Sequence, residues 1–264
     1  MALDIKPIGA ANLPDAARLC LAGRTLSDRP PAFTREVEVE STRCKLSYLR
    51  AAMQRGATAL AAYRSGMLVG YVEAHEIEES LVPLKGEACH VVTCLRVPEA
   101  AERAEVEHEL VAALAKAHPA SRGFAVLARE KIWAALGFEE TERAESEVDG
   151  FDRVVWWRPV AGGAAPTLVP VDRKLPRIPG KVRVDLFASD RCPWDRYVFD
   201  VVRQSCAAFK GSVVIYETDC SKRREVLRSG VTSAIAVNGK FQPWLRPHRL
   251  PDAHSVRRLI ESAL

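Results

Sequence analysis

Four places in this 264-residue chain carry side chains whose types and spacing suit chemistry. Glu87 stands at the start of a β-branched run that continues to Val97, and a carboxylate there is a candidate general base if its pKa suits neutral pH. His90, three residues on, competes for that role, although a histidine beside Val91 and Val92 is more often packed than reactive. Cys192-Pro193-Trp194-Asp195 reads as a turn into a helix. Proline suits the first helical position, so Cys192 falls at the N-cap, where the helix dipole lowers a thiol pKa and Asp195 opposes that effect. The fourth place is Glu102, Arg103, Glu105 and Glu107, between a strand and a helix. Free N–H groups at such a helix start favour phosphate; Arg103 would assist it and the acids would repel it.

The composition confines these sites to an ordinary globular protein. Apolar residues make up 48% and charged residues 27%. The N-terminal stretch MALDIKPIGA has no long apolar run and reads as no signal peptide, and no stretch approaches the ~20 apolar residues of a membrane span, so no membrane association is expected. Seven cysteines (20, 44, 89, 94, 192, 206 and 220) are scattered without a Cys-x-x-Cys, which predicts a reducing, cytoplasmic setting and no disulfide framework. Cys89, His90 and Cys94 alternate along one strand and cannot all face one metal. The net charge of +4 is uneven: residues 181–264 carry 15 Lys/Arg against 9 Asp/Glu. That excess is spread over several segments without a nucleic-acid motif, so a solvated face is the expectation and nucleic acid an unlikely partner.

Periodicity supplies the elements that position the candidates. Strands are expected at 3–8, 58–63, 68–74, 87–97, 123–128 and 153–157, with a hairpin at Ser65-Gly66 and a further strand after Gly137. Helices are expected at 12–21, 45–55, 105–117 and 129–136, and residues 22–42 as loop. Residues 161–180 hold four prolines and three glycines and read as a linker between domains at 1–160 and 181–264. The second domain is expected as strand 182–187, helix 196–209, strand 212–218, helix 221–229, strand 234–237 and helix 252–263. The fold class is therefore α/β, a mixed-sheet domain followed by a smaller one.

Two segments carry a family resemblance. Ala128–Phe138 (AREKIWAALGF) resembles the late helix ending in L-G-F of GNAT-type N-acetyltransferases, and the order of elements over residues 3–160 is similar to that family throughout. The resemblance implies acetyl-CoA as cofactor, a small-molecule amine as acceptor, and backbone groups near Leu95 and Val97 that orient the acetyl carbonyl and the pantetheine. The family's pyrophosphate turn reads V-x-P-x-x-R-G-x-G-x-G-x-x-L-L. Aligning Leu110 and Val111 with its closing pair places Glu102 at the arginine, and Arg103, Glu105 and Glu107 at the three glycines. Side chains at close-approach positions block the backbone, and carboxylates repel pyrophosphate, so weakened or lost cofactor binding is expected, with Arg103 as the charge partner if it binds. The family's thiolate-protonating tyrosine falls at Trp133, whose indole N–H is no acid.

The second domain is similar to thioredoxin-like proteins, and the pair of domains to proteins with an acetyltransferase domain followed by a YoaP-like one. Asp195 stands where a resolving cysteine would, and Ser233 where the cis-proline would. Cys206 lies about 20 Å down the same helix from Cys192. Three readings follow: an N-acyltransferase-like enzyme with a divergent cofactor turn, a non-catalytic GNAT-like scaffold for an unknown protein partner or ligand, and a monothiol protein acting through Cys192.

Overall fold

Apolar residues at period two build one large sheet in the first part of the chain. The structure, a computed structural model, describes residues 2–22, 34–98, 102–129, 131–150, 152–172, 174–245 and 251–264. In chain order the elements are β1 (Asp4–Pro7), α1 (Leu13–Ala22), α2 (Arg35–Gln54), β2 (Thr58–Arg64), β3 (Met67–Glu76), β4 (Leu84–Lys85), β5 (His90–Arg96), α3 (Arg103–Ala117), β6 (Gly123–Ala128), α4 (Ile132–Ala135), β7 (Glu139–Ala144), β8 (Arg153–Pro159) and β9 (Thr167–Leu168). They continue with β10 (Val182–Ala188), α5 (Pro193–Ala207), β11 (Val213–Asp219), α6 (Arg223–Ser229), β12 (Ala234–Val237), β13 (Lys240–Phe241) and α7 (Ala253–Glu261). Two compact units result: residues 1–23, 46–144 and 152–169, and residues 24–45, 145–151 and 170–264, so far as these are described.

The first unit holds a seven-stranded mixed sheet in the order β1-β2-β3-β5-β6-β8-β7. Every neighbouring pair is antiparallel except β5 and β6. Alternation along β3 divides the faces. Val72 and Ala74 join Leu60, Ala62, Val106, Leu110 and Leu114 in the core under α3. A Cβ at Gly70 would stand 2.5 Å from Val106 Cγ1 and 3.0 Å from Leu110 Cδ1, so the absence of a side chain lets α3 lie close on β3.

The second unit holds a four-stranded sheet, β11-β10-β12-β13, in which β10 pairs parallel with β11 and antiparallel with β12. Val184, Leu186, Val198, Val202, Ile235, Val256 and Ile260 are buried in it. The fold class is α/β, a large mixed sheet with a second, smaller sheet.

Several expectations shift in detail. Helix α2 begins at Arg35, ten residues before the expected start; Thr34 Oγ1 accepts from the Val37 N–H, and Glu36 and Glu38 stand in the first turn, where the dipole favours acids. The remainder of the expected loop, residues 23–33, lies outside the described residues. Strand β5 starts at His90, not Glu87, because Ala88 takes a φ of 54° that no extended strand accommodates. The late helix is one turn, Ile132–Ala135, and Gly137 follows it with φ 81°. The short ladder of β4 with β9 pairs Leu84 with Leu168, inside the stretch expected as linker.

Candidate active site

The middle of the first sheet is not closed. β5 and β6 pair only at His90 with Phe124 and Val91 with Ala125. Beyond Val91 the two parallel strands run on without further pairing, while β5 keeps its other edge on β3 through Cys94, Leu95 and Arg96. Thr93 to Arg96 and Leu127 to Ala128 are half-buried, whereas the strands before them are buried. Backbone N–H and C=O groups turned toward a parted strand are a place where an extended, amide-bearing ligand can pair.

Leu95 lies at this parting, packed against the core below it, and Val97 is buried at its end. Arg103 stands one turn away at the start of α3. Its Nε donates to the Val97 carbonyl at 3.3 Å and its Nη2 to the Pro98 carbonyl at 3.5 Å, so its guanidinium closes the end of β5. Of the residues singled out from the sequence, Arg103 and Val97 are in contact, and Leu95 lies two residues before Val97. The start of α3 is occupied electrostatically: Arg64, from the end of β2, pairs with Glu102 at 2.9 Å and Glu105 at 2.8 Å. Residues 99–101 of the turn lie outside the described residues. At this helix start Glu102 and Glu105 are held by Arg64, and Arg103 is turned to backbone carbonyls.

A different cluster fills the opposite face of β3. Tyr71, Glu73 and His75 alternate along the strand, and Tyr48 of α2 meets them; all are buried. The Glu73 carboxylate accepts from Tyr48 Oη at 2.9 Å, from Tyr71 Oη at 2.6 Å and from Thr93 Oγ1 at 3.0 Å, with His75 Nε2 at 2.8 Å. Tyr48 Oη also lies 3.1 Å from His75 Nε2. Burial first, and the Glu73 charge second, push the Tyr71 phenol well above its ordinary value, so it stays a donor. Thr93 reaches this carboxylate because β5 changes register opposite Glu73 and Ala74, and Thr93 is the residue left out of the ladder. The carboxylate therefore connects, through one hydroxyl, to the parted strands. Sequence reasoning missed it. The available signal was three polar side chains, Tyr71, Glu73 and His75, at period two on one strand face.

Glu87, the base expected from sequence, is at the other end of β5. The turn at Ala88 and the strand residues from His90 to Cys94 separate it from Leu95; it is exposed and bonded to Arg122 at 3.1 Å. The structure does not bring Glu87 together with Leu95 and Val97: it precedes β5, and they lie at the far end of that strand. His90 is packed: its Nδ1 lies 2.9 Å from Ser121 Oγ and its ring 4.0 Å from that of His118. Burial, then His118, pushes its pKa down to about 4. Trp133 is buried edge-on against Phe138 and fills space.

In the second unit Cys192 is the N-cap of α5, with Pro193 following as expected. Its pKa departs from expectation. Burial and then the Asp195 charge push the thiol up to about 12, against smaller opposing effects from the Trp194 and Asp195 N–H groups and from Lys45. Burial outweighs the dipole. Cys206 lies in the last turn of α5, and Cys220 is buried after β11. Among the described residues, no cluster of His, Cys, Asp and Glu could hold a metal ion, and no helix is long and apolar enough to cross a membrane.

No family model and no curated protein matches this chain. Solved structures do. The ribosomal L7/L12 alpha-N-protein acetyltransferase RimL, in complex with coenzyme A, is similar at 16% identity over 62% of this chain and 97% of its own, with a TM-score of 0.46. Aminoglycoside 6'-acetyltransferase type Ii is similar at 16% identity over 61% and 97%, with a TM-score of 0.44. A GNAT family acetyltransferase from Brucella melitensis, in complex with acetyl-CoA, is similar at 14% identity over 63% and 95%, with a TM-score of 0.40.

Proposed function

We propose that the first unit is a GNAT-like N-acyltransferase domain that acylates a small amine and recognises the nucleotide end of its donor weakly or not at all. The observation that carries this reading is the parting of β5 from β6 beside a buried carboxylate that Thr93 connects to the gap. The nitrogen of an amine held there bonds to the acyl carbon of the thioester as its proton passes to Thr93 Oγ1 and the Thr93 hydroxyl proton passes to Glu73. The C–S bond then breaks, and the thiolate leaves and takes its proton from solvent. Tyr71 and Tyr48 steady the Glu73 carboxylate. Backbone groups from Thr93 to Arg96 orient an extended thioester arm. The order of elements and of strands supports the family reading.

The test is calorimetric titration of the full chain with acetyl-CoA and with S-acetylpantetheine, which lacks the nucleotide. Weak binding of both, within about threefold of each other, is expected, because the nucleotide finds no site at α3. A preference for acetyl-CoA above about tenfold would overturn the weakened-nucleotide reading. Binding of neither would overturn the acyl-donor reading and favour the second one, a non-catalytic scaffold, which the Arg64 pairs with Glu102 and Glu105 independently support.

The same proposal reads the second unit as thioredoxin-like, of the YoaP-like kind. Its support is the strand order β11-β10-β12-β13 with one parallel pair and a cysteine N-cap on the first helix. A ligand- or protein-binding role fits this unit better than a reactive monothiol, given the raised Cys192 pKa.

A further inference from the structure

Between α3 and α4 lies a groove of about 370 Å³ lined by Ala104, Glu105, Glu107, His108, Glu109, Ile132, Ala135 and Leu136. Its floor is aliphatic, from Ile132, Ala135 and Leu136, and its α3 wall carries three carboxylates. No lysine or arginine lines it among the described residues. One of the carboxylates differs from the other two. Glu105 is bonded to Arg64, and Glu109 is half-exposed beside His108 at 3.7 Å. Glu107 is only 6% exposed, and its Oε2 is buried without a hydrogen-bond partner. A buried carboxylate oxygen with no partner is costly to keep, and such groups normally have one. Arg103, on the same helix, acts on Glu107 through its charge alone, its N–H groups being turned to the carbonyls of Val97 and Pro98.

We propose that this groove binds an organic cation, an ammonium group on an alkyl body, with Glu107 as the seat of the charge. The alkyl body covers Ile132, Ala135 and Leu136, and the ammonium N–H groups satisfy the Glu107 oxygen that the protein leaves unpaired. Glu109 and Glu105 add attraction at the rim. The arrangement also gives the acids of this turn a use: they exclude phosphate-bearing ligands from a groove that lies beside the start of α3, and admit the opposite charge. This site does not depend on acyl transfer, so the two proposals fail separately.

The probes are n-hexylammonium, n-hexanol and hexanoate, titrated into the full chain by calorimetry, with changes at α3 followed by amide resonances. Hexylammonium is expected to bind at least about tenfold more tightly than hexanol, with hexanoate not binding. Glu107→Gln, which keeps the shape and removes the charge, is expected to erase that preference. Ala135→Trp, on the exposed side of α4, is expected to fill the groove and abolish binding of both hexylammonium and hexanol, and it serves if E107Q does not fold. Equal binding of hexylammonium and hexanol, unchanged hexylammonium binding in E107Q or in A135W, or a preference for hexanoate would each overturn the proposal.

Discussion

Replacing Tyr71 with phenylalanine removes one oxygen from the buried network while keeping the ring and its packing. The bond lost is short, 2.6 Å from Tyr71 Oη to Glu73 Oε2, and both residues are buried. Hydrogen bonds to a charged partner contribute about 1.5–3 kcal/mol, and a buried oxygen that loses its donor keeps its desolvation cost. Y71F is therefore expected to destabilise the first unit by about 2 kcal/mol. Glu73→Gln keeps the shape and removes the charge. In the double variant the missing hydroxyl no longer faces a charge, so the two losses should fall short of additivity by about 1 kcal/mol. Because the Tyr71 phenol is held well above its ordinary pKa, the cost of Y71F should be the same from about pH 6 to pH 9. The chain has two units and need not unfold in one step, so the assay is urea denaturation read by hydrogen exchange on peptides covering β3 and β5. A Y71F cost below about 0.5 kcal/mol, or strictly additive variants, would refute the claim that this carboxylate is held by directed bonds. For function, E73Q should abolish amine acylation while Y71F retains most of it.

Two further predictions concern titration. His90 has its folded pKa pushed below the unfolded value, to about 4, so the unfolded chain binds a proton that the folded chain refuses. Stability from this residue is present above about pH 6.5 and lost as pH falls toward 4, and His90→Gln should flatten that slope in pH-dependent denaturation; an unchanged slope would point to other groups. Cys192, with its thiol at about 12, should react with iodoacetamide at pH 8 about a thousandfold more slowly than an unhindered thiol, measured by mass spectrometry of the native chain; rapid labelling would restore the monothiol reading.

Local chemistry was legible where a residue acts on its own neighbours. Ser65-Gly66 turns the hairpin with φ of 51° and 78°, Gly137 and Gly230 follow their helices at positive φ, and Cys192 caps α5. Strand β6 and strand β12 fall where alternation placed them. The failures are non-local. The segment R-E-V-E-V-E alternates like a strand or loop, yet it forms the first turns of α2. The β4–β9 ladder joins residues more than eighty positions apart with two pairs, too little pattern to read. Glu73 gains its meaning from Tyr48 on α2 and from a register change in β5, neither of which spacing reveals. The Cys192 pKa depended on how deeply the thiol would sit, and burial is a property of the finished packing.

The break between β5 and β6 divides the seven strands into two leaves, β1-β2-β3-β5 and β6-β8-β7, hinged on two residue pairs. Two apolar clusters span the leaves: Val72, Val106 and Leu110 meet Phe124, Val126 and Trp156, and Ile77 and Val91 meet Ala125, Val155 and Trp157. Hydrogen bonds resist sliding and opening steeply because they are directional, whereas apolar packing tolerates small displacements at little cost. At the Leu95 end the leaves are therefore joined by apolar packing and not by a ladder. Bringing a strand-like ligand between them adds ladder bonds where the protein has none, so an occupant would stiffen the whole sheet.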